Sequence, residues 1–579
     1  MVSRTKVAVS LGVVAVAAMS LMAASWAGAQ GKAKYPRSQS LISSGSQWGA
    51  IVGTNPYGTN PYTGNYAVGL IGLVEETLLR YDPLKDTYIN WLAKSAKFTG
   101  AKTFVVKVRP GISWSNGQKF AGRDVAFNFT LGRFATAAWH NLYINLKLIK
   151  VKGNTVTFKF KGTPNYAQWQ NLLYNLPMIN PGQAATIRSP ESLMTFSPND
   201  PIGTGPYEMA IEGFDPTTRV VWKKKPLWWA AKQRISPSPA PKYIIDLVNT
   251  PNTNALSGLL TGIEDLNNNY LPGIQDLVKS GKAQTYFPKA PHNLAADTAW
   301  LVPNVTRKPL NDKAFRKALA TSINIKQIVD DDYGNLVLPA NATGLLNIWS
   351  KWVNKSQLRS LGFKYSTANA RKILTGAGYK LGSDGFFNNL DGSNINLSII
   401  VPENWSVWEI AERMIVNSAK AAGIRITISV VDESTWTSNR QTGQFDLAIE
   451  SPYQLSDNPW TYFNALFHLP IITTGTGQTF ANTSRYRNKT AWSLVQKLDH
   501  TPLGNISARK SIMSKLEKIT MTDFPSIPLW YDGVWAQTQS KYWTSWPSST
   551  TGRKYVPCMN RGYLQMTGID MITHIKKAK

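Results

Sequence analysis

The chain has 579 residues, with 63 Lys and Arg against 34 Asp and Glu, and a single cysteine, Cys558. The length exceeds one ordinary domain of about 100–200 residues, and an apolar share of 43% excludes wholesale disorder. One cysteine excludes an internal disulfide. The formal charge of +29 raises nucleic-acid binding, but the basic residues are scattered and carry no nucleic-acid fold signature.

The N-terminus reads as a targeting segment. Arg4 and Lys6 precede Val7–Ala24, which is apolar apart from Ser10 and Ser20, and Ala27-Gly28-Ala29 offers small residues before Gln30. This pattern predicts a cleavable signal peptide over residues 1–29; a membrane anchor is the competing reading, because the apolar run approaches spanning length. No cysteine adjoins the cleavage site, so lipid attachment there is excluded. The mature chain, at +27, is expected outside the cytoplasmic membrane. A solvated basic surface facing anionic envelope polymers or phospholipid accounts for the charge; an acidic habitat is the other account.

In chain order, Leu41-Ile42-Ser43 begins a strand. A long loop, Ser44–Tyr66, holds Thr54-Asn55-Pro56-Tyr57 and its echo Thr59-Asn60-Pro61-Tyr62. A helix is predicted over Gly69–Leu79. Phe104–Val108 and Thr155–Phe160 alternate like half-buried strands, with a helix starting at Gly122 between them. Tyr166–Leu176 reads as helix, Ile202–Tyr207 as a glycine-proline turn, and Arg219–Lys223 and Tyr243–Val248 as strands. Further on, Thr298–Val305 is a strand and Lys313–Ser322 a helix with a second run at Lys326–Val329. Thr367–Leu374 and Val407–Ala422 are helices. Ile395–Val401, Ile424–Val431 and Phe445–Glu450 are strands, an order that predicts a parallel α/β unit. Ile512–Met521 is a helix and Ile527–Tyr531 an apolar strand.

Catalytic and metal chemistry find no foothold. His140, His292, His468, His500 and His574 are not paired at ligand spacing, and no Cys/His cluster exists. No G-x-S-x-G elbow occurs. Gly203-Thr204-Gly205 precedes Pro206, not a helix start, so it reads as a turn and not a phosphate loop. Glu75-Glu76 and Asp330-Asp331-Asp332 read as solvated faces or caps. The aromatic residues say more: 21 Trp and 23 Tyr are present. Trp48, Tyr57, Trp405, Trp408, Trp436, Tyr453 and Trp460 lie at strand ends or in loops, where α/β sheets meet ligands. Core packing is the ordinary explanation for any one of them; as a group, with Gln454 and Asp457 in the same late loop, they are candidate ligand contacts.

Seven segments, in order, resemble the family 5 extracytoplasmic solute-binding proteins of ABC importers. The first is Val106–Arg133. Pro201–Trp229, with its GTGPY turn, is similar to a second block. Asn304–Val329, Ala370–Tyr379, Ala411–Ile428, Gln444–Glu450 and Ile527–Tyr531 complete the series. The resemblance implies an α/β, two-lobed periplasmic-binding-protein-like fold of type II, with an enlarged first lobe and two crossing strands. Residues 30–294 and 537–579 would form lobe I with a family-specific extra subdomain, and 295–536 lobe II. The crossings are expected near Ala295–Val302 and Pro528–Ala536. The family's role, delivery of oligopeptides, nickel or oligosaccharides, implies a binding protein and not an enzyme; the unpaired histidines argue against a nickel carrier that binds metal directly, and no cofactor is expected. It would be a monomer that presents its ligand to an ABC permease.

The ligand is less defined. Family members that bind peptides carry an aspartate in the loop after the Phe-Asp strand, for the peptide's α-ammonium, and the oligopeptide binders add an arginine on the strand. Aligned without gaps from Phe445-Asp446 to Pro459, those positions are Leu455 and Ile449; Asp457 stands two residues late. Either Asp457 shifts into place or the ligand lacks a charged terminus. Val534–Pro547 resembles the tail of members that carry β-linked oligosaccharides. An oligosaccharide is therefore expected over an oligopeptide, with a secreted glycan-active enzyme as the remote alternative.

Overall fold

The computed structural model describes residues 35–57, 67–249, 252–403, 405–451, 455–472, 481–560 and 562–579. The signal-peptide segment 1–29, the Thr59–Tyr62 echo, Tyr453 and Gln454 lie outside the described residues.

Two six-stranded sheets organise the chain. The first runs in the order Gln537–Thr538, Leu266–Asn267, Ser40–Trp48, Tyr243–Asn249, Arg219–Lys224 and Tyr207–Met209. Its Ser40–Trp48 strand pairs in parallel with both neighbours. The second runs Leu338–Pro339, Ile527–Val534, Leu294–Pro303, Leu447–Glu450, Leu397–Pro402 and Ile426–Val431. Here Leu397–Pro402 is parallel to both its neighbours, as the strand-helix-strand order predicts, while the Leu294–Pro303 and Ile527–Val534 pair is antiparallel. Parallel pairing follows from the crossover helix Ser406–Ala421, whose Ala411, Ile415 and Ala419 are buried.

The chain changes sheet twice. Gln284 bridges Thr538 in the first sheet, whereas Leu294 pairs with Val534 in the second. The crossings therefore occupy residues 285–293 and 535–536, at the ends of the two expected strands. Tyr270, Tyr333, Trp530 and Trp535 pack together there, with ring centroids 5.2–6.4 Å apart.

A separate four-stranded antiparallel sheet lies within the first half: Ala93–Gly100, Thr103–Val108, Thr155–Phe160 and Leu146–Lys152. Alternation decides its faces. Phe104, Val106, Val156, Phe158 and Phe160 point inward and are buried. Trp169, on the helix Tyr166–Asn175, fills that face, with Phe104, Phe129, Phe158 and Phe160 within 5.0–5.6 Å of its ring.

The predicted Gly69–Leu79 helix is absent. Leu70–Val74 is a distorted turn broken at Ile71 and Gly72, the latter at φ 100°, and Leu79–Asp82 is a strand. The reason lies in the GTGPY turn, which packs onto this backbone. The Gly205 N–H donates to Val74 O at 2.8 Å, and a Cβ at Gly203 would lie 1.9 Å from that same oxygen. The glycines permit close backbone approach, so the segment is shaped by its neighbour and not by its own periodicity.

Candidate functional site

Asp457 occupies the loop between Leu447–Glu450 and the helix Trp460–Phe467, and is buried. Its carboxylate accepts from the Tyr88 hydroxyl at 2.6 Å, from Asn171 Nδ2 at 3.2 Å and from the Tyr174 hydroxyl at 3.2 Å. Tyr88 belongs to the hairpin strand Thr87–Asn90, and Asn171 and Tyr174 to the helix Tyr166–Asn175, so these three donors come from the first half of the chain. The Tyr81 ring lies between, 5.4 Å from Tyr88 and 5.7 Å from Tyr174. Burial raises the Asp457 pKa against the opposing pull of its hydrogen bonds.

A second contact joins the same helix to the second half. Asn165, the residue before the helix, makes no side-chain cap of its own. Asp499 supplies one across the seam: it accepts the Gln168 backbone N–H at 3.1 Å, Gln168 Nε2 at 2.5 Å and Asn165 Nδ2 at 2.9 Å. A helix start carries unsatisfied N–H groups and partial positive charge, which a carboxylate answers. Nearby, an ion pair links Lys351 to Asp86. Helix Tyr166–Asn175 is thus held at its start by Asp499 and on its flank by Asp457.

The hinge carries a third cluster. Asp297 and Asp532 sit directly opposite one another on the two crossing strands, beside a bulge at Ala296. Neither forms an ion pair among the described residues. Tyr333, Tyr462 and Tyr563 are close enough to both carboxyl groups or to Asp297 alone that the acids push the phenols further from ionisation. Burial is the main cause of the upward shift at both acids: Asp532 rises to about 7, and Asp297 rises well above the carboxylate range, with the charge of Asp532 second. Burial beside a like charge favours the neutral, protonated form. Asp297 Oδ1 is buried without a hydrogen-bond partner among the described residues. Tyr462 also meets Trp300 and Trp349, at 6.4 and 4.8 Å. Trp300 and Tyr462 line a cavity of about 10 Å³ with Glu450, Thr483 and Ser484, roomy enough for about one water.

The expected contacts are not gathered into one surface. Tyr57 is inside the first half, its hydroxyl donating to Asn128 Oδ1 at 2.6 Å and to Pro177 O at 2.8 Å. Trp48 ends the Ser40–Trp48 strand opposite Asn249. Trp405, Trp408 and Trp436 form one cluster, with centroids 4.7–6.1 Å apart. The Arg440 guanidinium lies 3.8 Å over Trp436 and pairs with buried Glu450. Trp460 is buried, and its backbone N–H is capped by Asn458 Oδ1. Glu75 and Glu76 are not solvated: both are buried, and Glu76 accepts the indole N–H of Trp91, Trp228 and Trp229 at 2.9, 3.3 and 2.7 Å. Asp297, Asp532, Trp300, Tyr462, Asp499 and the Tyr88–Tyr174 pair escape a reading of motifs. The one available signal was an acid inside each apolar crossing strand, LAADTAWLVP and IPLWYDGV.

Two sheets, two crossings and a buried polar seam define a two-lobed α/β binding protein. The model of the bacterial extracellular solute-binding proteins, family 5 Middle, matches residues 87–472. The chain belongs to that family, whose members bind solutes and are not enzymes. It is 22% identical to the nickel-binding periplasmic protein of Escherichia coli K12 over 429 residues, 72% of this chain and 76% of that protein. Among solved structures it is similar to an oligopeptide ABC transporter periplasmic binding protein of Thermotoga maritima. That match has TM-score 0.88 and 29% identity over 94% of this chain and 100% of the other. A mannohexaose-bound structure from the same organism matches with TM-score 0.85 and 30% identity, over 94% and 99% of the two chains. Among the described residues, no group of three or more metal-ligating side chains occurs, and no helix is long and apolar enough to cross a membrane.

Proposed function

We propose that the chain captures a neutral oligosaccharide between its lobes outside the cytoplasmic membrane and presents it, as a monomer, to an ABC permease. Lobe I comprises 30–294 and 537–579, lobe II comprises 295–536, and residues 1–29 are removed on export. The lobes close about the two crossings.

The observation that carries the ligand class is the state of Asp457. A peptide's α-ammonium needs a carboxylate free to receive it, and most of this one's acceptor capacity is taken by Tyr88, Asn171 and Tyr174. Leu455 and Ile449, at the two family positions for charged partners, are buried and apolar. What the strands beside the crossings offer in their place is a pair of buried acids that burial holds toward the protonated form, able both to donate and to accept, among tyrosine and tryptophan rings. Hydroxyl groups and sugar C–H faces suit that lining. The mannohexaose found on the Thermotoga maritima relative supports the same class. One observation favours an oligopeptide: the buried Asp297 Oδ1 has no hydrogen-bond partner among the described residues, and an ammonium placed there would supply one.

Isothermal titration calorimetry of the mature protein against cello-oligosaccharides, mannohexaose and a panel of tri- and tetrapeptides tests the reading. Stoichiometric heat with a sugar and no hydrolysed product is expected. Tight binding of a peptide with none of a sugar refutes the ligand class, and turnover of the sugar refutes the binding role.

A further inference from the structure

The excess positive charge is not spread evenly. Residues 93–163 hold thirteen Lys and Arg and one acid, Asp124, which is itself buried. This stretch builds the four-stranded sheet, and the register places its lysines in three cross-strand rows on one face. Leu148 lies opposite Lys159, and Lys159 opposite Thr103; Lys150 opposite Thr157, with Val105 and Lys97 beyond; Lys152 opposite Thr155, with Lys107 beyond. Lys97, Lys107, Lys150, Lys152 and Lys159 are all exposed. None of the five forms an ion pair among the described residues.

The other face of this sheet is covered by the helices Gly122–Thr130 and Tyr166–Asn175 through the Trp169 cluster. The lysine face is turned away from that helix, and hence from Asp457, Asp499 and the seam. The five lysines stay exposed there among the described residues. Its four strands make a plate about 15 Å across and about 14 Å tall. At physiological salt every lysine on it stands within about two screening lengths of its neighbours, so they act together on an opposing charge.

We infer that this face is a docking surface for an anionic phospholipid bilayer. Charge complementarity selects a polyanion, and two further features select a bilayer over a hydrated polymer. The face is the open side of a sheet and not a groove that would grip a single chain. Leu148 stands among the lysines at 45% exposure, with Ile144 at 47% just before the strand. An interface of headgroups and acyl chains can bury these side chains, whereas a hydrated polymer cannot. Docking here would keep an unlipidated exported chain at the membrane that houses its permease while leaving the interlobe seam free. The inference rests on export alone and does not depend on which ligand is bound.

Co-sedimentation of the mature protein with phosphatidylcholine vesicles, with and without about a third phosphatidylglycerol, tests it. Binding only to the phosphatidylglycerol vesicles is expected, reversed by about 0.5 M salt. A variant combining Lys97→Gln, Lys107→Gln, Lys150→Gln, Lys152→Gln and Lys159→Gln should partition at least about ten-fold less. Its melting temperature and its calorimetric ligand affinity should match those of the parent. Leu148→Ser should weaken vesicle binding without altering its salt dependence. No selectivity for anionic vesicles, or unchanged partitioning of the five-lysine variant, overturns the inference. Soluble polyglutamate that competes fully at equal charge, with Leu148→Ser silent, overturns the choice of a bilayer.

Discussion

Asp499→Ala removes the cap that lobe II places on a lobe I helix. The carboxylate accepts three donors, from the Gln168 backbone, the Gln168 side chain and Asn165. A helix cap contributes about 1 kcal/mol, and a hydrogen bond to a charged group about 1.5–3 kcal/mol. Against these stands desolvation, which wins at this residue: burial is the first cause of its pKa shift, and the shift is upward despite hydrogen bonds that oppose it. The net loss on truncation is therefore set near the single-cap value, about 1–2 kcal/mol, or about 5–30-fold in the closing equilibrium. Hydrogen exchange reads this without a ligand. The amides at the start of helix Tyr166–Asn175 should exchange about 5–30-fold faster in the variant. Amides of the strands Thr103–Val108 and Thr155–Phe160 should keep their protection. Asp499→Asn retains an acceptor for the Gln168 N–H and should show a smaller effect. Unchanged exchange in the first helical turn would refute the trans-capping role; faster exchange throughout the sheet would mean unfolding of the subdomain and not release of a latch.

Asp457→Asn removes the charge that receives Tyr88, Asn171 and Tyr174, and it should weaken affinity by about ten-fold for whichever ligand binds, sugar or peptide. A loss confined to peptides, measured by calorimetry, would contradict a closing role. Trp169→Ala should cost about 3–5 kcal/mol in urea unfolding, because four phenylalanines lose their shared partner; a cost under about 1 kcal/mol would contradict the packing described. Stability should fall as pH rises. Burial lifts Asp246, Glu264, Asp332, Glu412, Glu517 and Asp532 to about 7. Between about pH 4 and pH 7 the folded chain then keeps protons that the unfolded chain releases, a contribution complete at the acid end and lost through about pH 7. The melting temperature at about pH 5 should exceed that at about pH 8, and a rise in the opposite direction would contradict the dominance of burial over hydrogen bonding at these acids.

Much of the scaffold was legible because it obeys local periodicity. Thr155–Phe160 alternates in sequence as it does in burial, and Ser406–Ala421 shows its apolar stripe directly. The Gly69–Leu79 segment was not legible, because Gly203 and Gly205, more than a hundred residues away, dictate its backbone. The seam was hidden for the same reason. Asp457 stood out as a carboxylate near the family position, but its donors lie 283–369 residues earlier. Asp297 and Asp532 are 235 positions apart in the chain and meet only through strand register. The tryptophans drew attention by number; Trp436 turned out to be bound to Trp405, Trp408 and Arg440 within the second half.

The central claim is that the interlobe seam takes a neutral oligomer because its carboxylates are held by donors from the first half of the chain or kept toward the neutral form by burial. Calorimetry of the mature chain against cello-oligosaccharides, mannohexaose and unblocked tri- and tetrapeptides addresses it directly. The expected result is one sugar bound per protein, recovered intact after release. A tetrapeptide bound tightly, with affinity lost when its α-amine is acetylated and with no sugar bound, would contradict it.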